Sequence, residues 1–463
     1  MSSRGFTFPL SMRWIAVYAF ALVALLGVYL VSFSDVGYHF RNLTTHVDDS
    51  HNAPATQPPP ATVTSNLPPL SSTSPTGANP AAGDPVEPLE SPKPGQVKIV
   101  GLVFFGRRDL VRVLDCYLKR NLRINGGLLD EVVFAINTDI KEDLDYLDNE
   151  LLPSPYYRKF TATDEHGFLG QWSAVDERDT IYIKIDDDVV FIDDGTIASV
   201  VRPLIENPSY FAVSANVVNN PALSWVHYHM GVFEPYWPEM MKPWKPSSPS
   251  SWRASELPAY KGPAEGPDNF DIDGSTPAPF TGHRWLPVRQ KEKGETEDPT
   301  KFPASTLTYD PFGPSWDNWA AGAQLHYSFL QHLENNETSL YKFGIWDCHY
   351  DRVSINFIAL RGGDIMDAYP FTEEDDEYFL TVEHAKKIGK HVVVAGNGLA
   401  VHFAFGPQRM ANYEHGISDT DLLGRYTAYA KEMVCPFPKR EVKASPLVRP
   451  SEKSRRRGPG RSR

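Results

Sequence analysis

The chain has 463 residues, 41% of them apolar, so it is long enough to bury a sizeable core. With 58 acidic against 45 basic side chains and a net charge of −13, it makes a poor partner for nucleic acid. The three cysteines (Cys116, Cys348 and Cys435) match no metal or redox spacing, and their odd number rules out a fully paired intrachain set; a single disulfide could join any two of them.

Residues 1–13 form a short, basic N-terminus with Arg4 and Arg13. Trp14 to Phe33 follows without a single charge, long enough to cross a bilayer as a helix at about 1.5 Å per residue. Asp35, Asp48 and Asp49 come next, so the charge asymmetry predicts an uncleaved signal anchor with a cytosolic N-terminus and the remainder across the membrane. Residues 34–96, dominated from Asn52 to Pro94 by Pro, Ala, Ser and Thr, have too little apolar bulk to fold and read as an extended, disordered stem. Formal N-glycosylation sequons occur at Asn42 and Asn336.

The folded part is expected over 97–440, as one domain with an insertion. Val97–Phe105 reads as a strand, followed by a helix through LVRVLDCYLKRNL, a strand at Glu131–Asn137 and a helix at KEDLDYLDNELL. Next comes Ile181–Ile192, IYIKIDDDVVFI, a buried strand ending in Asp186, Asp187 and Asp188. Three acids at the tip of an apolar strand repel one another, and a bound hard cation such as magnesium or manganese relieves that repulsion. A solvated acidic turn is the plainer alternative. A helix (TIASVVRPLIENP) and a strand (YFAVSANVV) follow. This βαβα order implies a mainly parallel sheet with helices on both faces. The ends of its strands at Arg107, at Asp139 and at the acid cluster then share one edge and form a cleft. No GxGxxG or P-loop sequence is present.

Between about 238 and 314 the pattern dissolves into Pro, Ser, Gly and Trp, as in a lid, a binding loop or a disordered segment. Trp316 and Trp319 close this stretch, placed either to stack on a sugar ring or to pack in the core. Lys342–Ile365 reads as an acid-led amphipathic helix ending at a glycine pair. His391–Arg409 reads as a strand, a Gly-Asn-Gly turn and a second apolar run centred on His402. Residues 441–463 form a basic tail, expected to be disordered.

A strand tipped with a DxD-type triad, a downstream acid-helix-glycine segment and a late isolated histidine together resemble the GT-A class of nucleotide-sugar glycosyltransferases. The overall pattern is most similar to the family-two-like fungal membrane-anchored members. The anchor and stem resemble the type II topology of Golgi glycosyltransferases, with the catalytic domain lumenal in the Golgi or endoplasmic reticulum. The resemblance implies a GT-A, Rossmann-like fold, a divalent cation (Mn2+ or Mg2+), a UDP- or GDP-linked sugar donor, and a glycan, glycolipid or glycoprotein acceptor. It implies that Asp188 binds the cation, with Asp186 reaching the ribose or, through water, the metal, and Asp187 either facing the sugar or capping the turn. His402 completes the metal shell, and Asp139 and Arg107 contact the nucleotide. Arg409 assists the leaving diphosphate on general chemical grounds. Aligning Gly362 with the glycine that closes the family's acceptor helix makes Asp351 the catalytic base of an inverting enzyme, with Asp347 as a rival. The chain departs from the family's Glu-Asp pair there, carrying Tyr350-Asp351. Two other classes fit parts of the pattern: a phosphohydrolase using Asp186-Asp187-Asp188-Val189-Val190 as a nucleophile loop, and a catalytically silent carbohydrate-binding relative.

Overall fold

The computed structural model describes residues 97–162, 167–244, 251–289, 298–409 and 416–435, all within one unit, Asp84–Arg463. The anchor expected at 14–33, the stem, the sequon at Asn42 and the basic tail lie outside these residues. Among the described residues, no helix is long and apolar enough to cross a membrane.

Strand β1 (Lys98–Phe105) is buried along almost its whole length and leads into helix α1 (Arg108–Asn121). Strands β2 (Glu131–Ile136) and β4 (Thr180–Asp186) pair with it in parallel fashion, and β3 (Tyr157–Phe160) pairs in parallel with β2, in the order β3-β2-β1-β4. Register sets Phe105 beside Ile136 and Phe104 beside Asp186, so the three strand ends share one edge of the sheet.

Beyond β4 the sheet is mixed, which corrects the expectation of a mainly parallel one. Its order continues β10-β6-β11-β5, with β10 (Phe357–Arg361) antiparallel to both β4 and β6 (Tyr210–Val218). Strand β11 (His391–His402) runs parallel to β6 but antiparallel to β5 (Val189–Ile192) and β9 (Ile345–Asp347). Helix α2 (Thr196–Glu206) packs on β6, β10 and β11. Helix α3 (Pro221–His229) starts at Pro221 behind Asn220, whose side chain accepts the Leu223 amide; α4 (Trp319–Glu334) is capped by Asn318.

The segment read as an acid-led helix is instead two strands and a loop: β9, residues 348–356, then β10. Strand β10 is buried on both faces, so its sequence lacks the alternation that marks a half-exposed strand and mimics a helical stretch. Gly362 opens helix α5 (Gly362–Ala368) rather than closing one. A Cβ there would lie 2.0 Å from the Glu177 carbonyl oxygen, so the chain needs glycine for close packing. The glycine alignment that selected Asp351 therefore has no structural basis.

His391–His402 is likewise one strand and not two runs about a turn. Its register slips between Ala395 and Leu399, and Gly396 sits in the irregularity, where any Cβ would clash with Phe343. The described part of the stretch between about 238 and 314 is mostly exposed or half-buried, but several of its aromatic residues pack into the core. Trp237 and Trp285, on the two-stranded ribbon β7 (Tyr236–Pro238) and β8 (Trp285–Pro287), are fully buried with Phe270 and Phe302 against α4.

Two residues connect β4 to β5, yet three strands lie between them in the hydrogen-bonding order. Three Cα steps reach at most about 11 Å, whereas four flat strand spacings cover about 19 Å. The sheet must curl back on itself at the acid cluster, and that curl brings the end of β11 to Asp188. The backbone records the closure: the Phe403 amide donates to the Asp188 carbonyl at 2.8 Å.

Candidate active site

The curl encloses a cavity of about 420 Å³. It is lined by all three aspartates, Arg107, Asn137, Lys184, Asn356, Asp376, Glu377, His402 and Arg409. Five carboxylates face three permanent cations (Arg107, Lys184 and Arg409), leaving the cavity net negative. A larger cavity, about 910 Å³, lies beside the Cys116–Cys435 disulfide; it contains neither the acid cluster nor His402.

Each aspartate has a different partner. Asp186, at the last position of β4, accepts from Lys184 Nζ and, at 3.0 Å, from Asn356 Nδ2. Lys184 is almost wholly buried in the centre of β4 and also donates to the Ile355 carbonyl at 3.1 Å. Burial alone would strip its proton, but Asp186, Asp376 and Glu377 outweigh burial and hold it above the ordinary lysine value.

Asp187 accepts the Gly106 amide at 2.9 Å and is gripped by the Arg107 guanidinium, whose Nε lies 3.0 Å from Oδ1. Burial pushes its carboxyl up to about 6 against the pull of Arg107. Asp187 thus anchors Arg107 at the cavity wall.

Asp188 is buried; its Oδ2 lies 3.1 Å from Arg107 Nη2 and its Oδ1 lies 3.2 Å from His402 Nε2. Burial pushes its carboxyl up, but His402 and Arg107 prevail and hold it below the usual carboxylate range. His402 is fully buried as well. Burial lowers it, yet the Asp188 and Asp186 charges dominate and raise it above the ordinary histidine value.

Asp186, Asp188 and His402 offer ligand atoms within 4.8 Å of one another. Asp188 Oδ1 and His402 Nδ1 are buried without a hydrogen bond of acceptable geometry, despite the short Asp188–His402 approach. Buried polar atoms normally find partners, so the orphaned Asp188 Oδ1, the close ligand set and the net charge together fit a divalent cation on oxygen and imidazole ligands.

Of the other expected residues, Arg409 joins the cavity and the rest lie outside its lining. Arg409, in the turn Gly406–Arg409, lines the cavity together with Arg107. That turn is fixed by a reciprocal amide pair, Asn219 with Gln408, at 2.9 and 3.0 Å. Asp139 is exposed, two residues beyond the cavity-lining Asn137. Asp351 is exposed in the loop after β9, outside the cavity lining, with the Tyr309 hydroxyl 3.3 Å from its Oδ2. Asp347 lies on β9 with His391 Nδ1 2.8 Å away. Trp316 is half-buried beside Phe312. Trp319 is fully buried, its indole donating to the Thr276 carbonyl at 2.9 Å, so it belongs to the core and offers no face to a sugar.

Four cavity residues escaped sequence reasoning: Lys184, Asn356, Asp376 and Glu377. Asp376 accepts from Trp172 Nε1 at 2.9 Å, while Glu377 is bound by the Ile355 amide and by Arg352 Nη2 at 2.6 Å. Burial pushes Glu377 up to about 6. A lysine in the middle of the apolar run IYIKI was the one available signal among them.

No family model and no curated protein matches the chain. One similar solved structure is 4-diphosphocytidyl-2C-methyl-D-erythritol synthase from Anaerococcus prevotii, at 16% identity over 26% of this chain and 56% of that one, with a TM-score of 0.21. Another is GalNAc-T7, solved with UDP, GalNAc and Mn2+, at 10% identity over 67% of this chain and 44% of that one, with a TM-score of 0.32. The chain spans about half the length of each of these proteins.

Proposed function

We propose that this chain is a metal-dependent glycosyltransferase that moves a sugar from a nucleoside-diphosphate donor to a glycan, glycolipid or glycoprotein acceptor. The observation that carries the reading is the convergence of Asp186, Asp188 and His402 within a net-negative cavity that also holds Arg107 and Arg409. Asp186, Asp188 and His402 would hold the cation. A divalent ion there would offset the charge that develops on a leaving diphosphate.

The protein's own residues supply the rest. Arg107, held by Asp187, and Arg409, held in its turn by the Asn219–Gln408 pair, present guanidinium groups suited to phosphate oxygens. Lys184 and Asn356 fix the Asp186 carboxylate. An acceptor hydroxyl needs a carboxylate within hydrogen-bond reach. Within the cavity Asp376 fits that role better than Glu377, which is occupied by Arg352 and the Ile355 amide. Asp351, exposed and outside the cavity lining, is more suited to holding the acceptor than to serving as the base. A phosphohydrolase is disfavoured, because its nucleophile would be Asp186, which is bonded to Lys184 and Asn356 and sits on the fourth strand. Insertion through 14–33 and a lumenal orientation belong to the same proposal, on the strength of the sequence.

The test is manganese-dependent hydrolysis of a panel of UDP- and GDP-sugars by the purified full chain, with and without added glycan. The reading expects release of nucleoside diphosphate that is lost in Asp188→Ala. Metal-independent release from an aryl phosphate, with no turnover of any nucleotide sugar, would overturn it.

A further inference from the structure

The loop that carries Asp351 adjoins an aromatic surface to which no role has yet been given. Trp225 on α3 meets Tyr309 edge to face with ring centres 5.5 Å apart, and Tyr309 in turn approaches Trp346 on β9 at 6.0 Å. Tyr309 is 44% exposed, and Trp225 and Trp346 are each half-buried. Three elements distant in sequence thus leave parts of three large rings accessible, and the central one, Tyr309, donates to the exposed Asp351 carboxylate at 3.3 Å. A group of half-open rings beside an exposed acid has the chemistry to hold a pyranose. Aromatic faces take the C–H face of the sugar and the carboxylate accepts from its hydroxyls.

The loop is held in a costly conformation. His349 and Tyr350, neither of them glycine, have φ of 49° and 63°, in the left-handed region. Such residues cost of order 1 kcal/mol or more each and persist where the surroundings impose them. Here Tyr350 stacks on His391 at 5.4 Å, and the Asp351 amide donates to the Cys348 carbonyl at 2.8 Å. The result is a fixed position for Asp351 beside Tyr309.

Two side-chain contacts tie this surface to residues of the cavity wall. Arg352, next in sequence, lies over the Phe312 ring at 4.3 Å and binds the cavity residue Glu377 at 2.6 Å. Asn220, which caps α3 and so sets Trp225, donates to the Asn356 side chain at 3.0 Å; Asn356 lines the cavity.

We infer that Trp225, Tyr309, Trp346 and Asp351 form a saccharide subsite outside the cavity lining, tied to it through Arg352 and Asn220, taking a pyranose unit of the acceptor glycan. The acceptor role rests on the glycosyltransferase reading, but saccharide binding itself does not.

The test uses the full chain in detergent on an array of oligosaccharides ending in mannose, galactose, glucose or N-acetylhexosamine. The wild type should bind one of these terminal classes. Trp225→Leu and Trp346→Leu should each weaken that binding about tenfold, and Tyr309→Phe less, while manganese binding is unchanged in all three. Tyr309→Phe and Asp351→Asn are near-isosteric and guard against loss of folding, and Asp351→Asn should also weaken binding. An array to which the wild type does not bind, or variants that bind as the wild type does, would overturn the inference. Array binding without nucleotide-sugar turnover would sustain the subsite and defeat the transferase reading instead.

Discussion

At the scale of single residues, the acid cluster is a set of three unlike carboxylates. Asp187 is spent on Arg107, Asp186 is fixed by Lys184 and Asn356, and Asp188 keeps an oxygen directed at His402. Lys184 is the residue that makes this tolerable without an ion. Removing one partner of a buried ion pair strands the other, typically at about 3–5 kcal/mol. Lys184→Met should therefore lower the melting temperature markedly in EDTA. Manganese should restore more stability to the variant than it adds to the wild type, as read by thermal denaturation. Equal manganese stabilisation of both proteins would show that Lys184 and the ion do not compensate the same charge.

At the scale of elements, β11 ends at His402 after two irregularities of register, one between Ala395 and Leu399 and one between Val401 and His402. At Gly396 a Cβ would lie 2.3 Å from Phe343 Cδ2 and 2.5 Å from its carbonyl oxygen. Gly396→Ala should therefore shift the strand downstream, weakening manganese binding by tenfold or more as well as lowering stability. A variant with a lower melting temperature but unaltered manganese affinity would disconnect the irregularity from the site.

The same elements show what could be read in advance. The strand end at Asp186 was legible because IYIKI is apolar, β-branched and abruptly terminated. The parallel half of the sheet was legible from the alternation of strands and helices. The antiparallel β10 was not: a strand buried on both faces has no period to reveal it, and its neighbour Asn356 was missed with it. Asp376 and Glu377 sit in the acidic run TEEDDEY, which looks like a solvated turn until Trp172 and Arg352 are found beside it. Trp319 misled for a related reason, since a tryptophan beside a Pro/Gly-rich stretch gives no sign of the Phe270 and Trp285 rings that enclose it.

At the scale of the whole molecule, buried histidines make the fold sensitive to acid. His227 is fully buried; its Nε2–H donates to Asn216 Oδ1 at 2.8 Å and its Nδ1 has no hydrogen bond. Burial lowers it to about 3 from an ordinary 6.5, and burial lowers His283 as well. Below about pH 6.5 the unfolded chain takes up protons that the folded chain refuses, so stability falls as pH drops through that window. For His227 the loss amounts to about 3 kcal/mol by pH 4. Urea denaturation at pH 7, 5.5 and 4 should show this decline, with a shallower slope in His227→Gln. Parallel slopes in the two proteins would remove His227 from the account.

The Cys116–Cys435 disulfide ties α1 to residues 319 positions later in the chain. Its removal in Cys435→Ser should cost about 2–5 kcal/mol of stability. The Cys116–Cys435 link is remote from the acid cluster, so manganese affinity should stay unchanged at temperatures where the variant is folded. A large loss of affinity in the folded variant would show that the disulfide helps set the site.

The most direct test of the central claim is pulsed electron paramagnetic resonance of manganese added to the full chain. One bound ion should show nitrogen coupling from the His402 imidazole; His402→Gln should lose the coupling and Asp188→Ala the bound ion. A manganese signal without nitrogen coupling, or one that survives unchanged in both variants, would contradict the assignment of the cation to Asp186, Asp188 and His402.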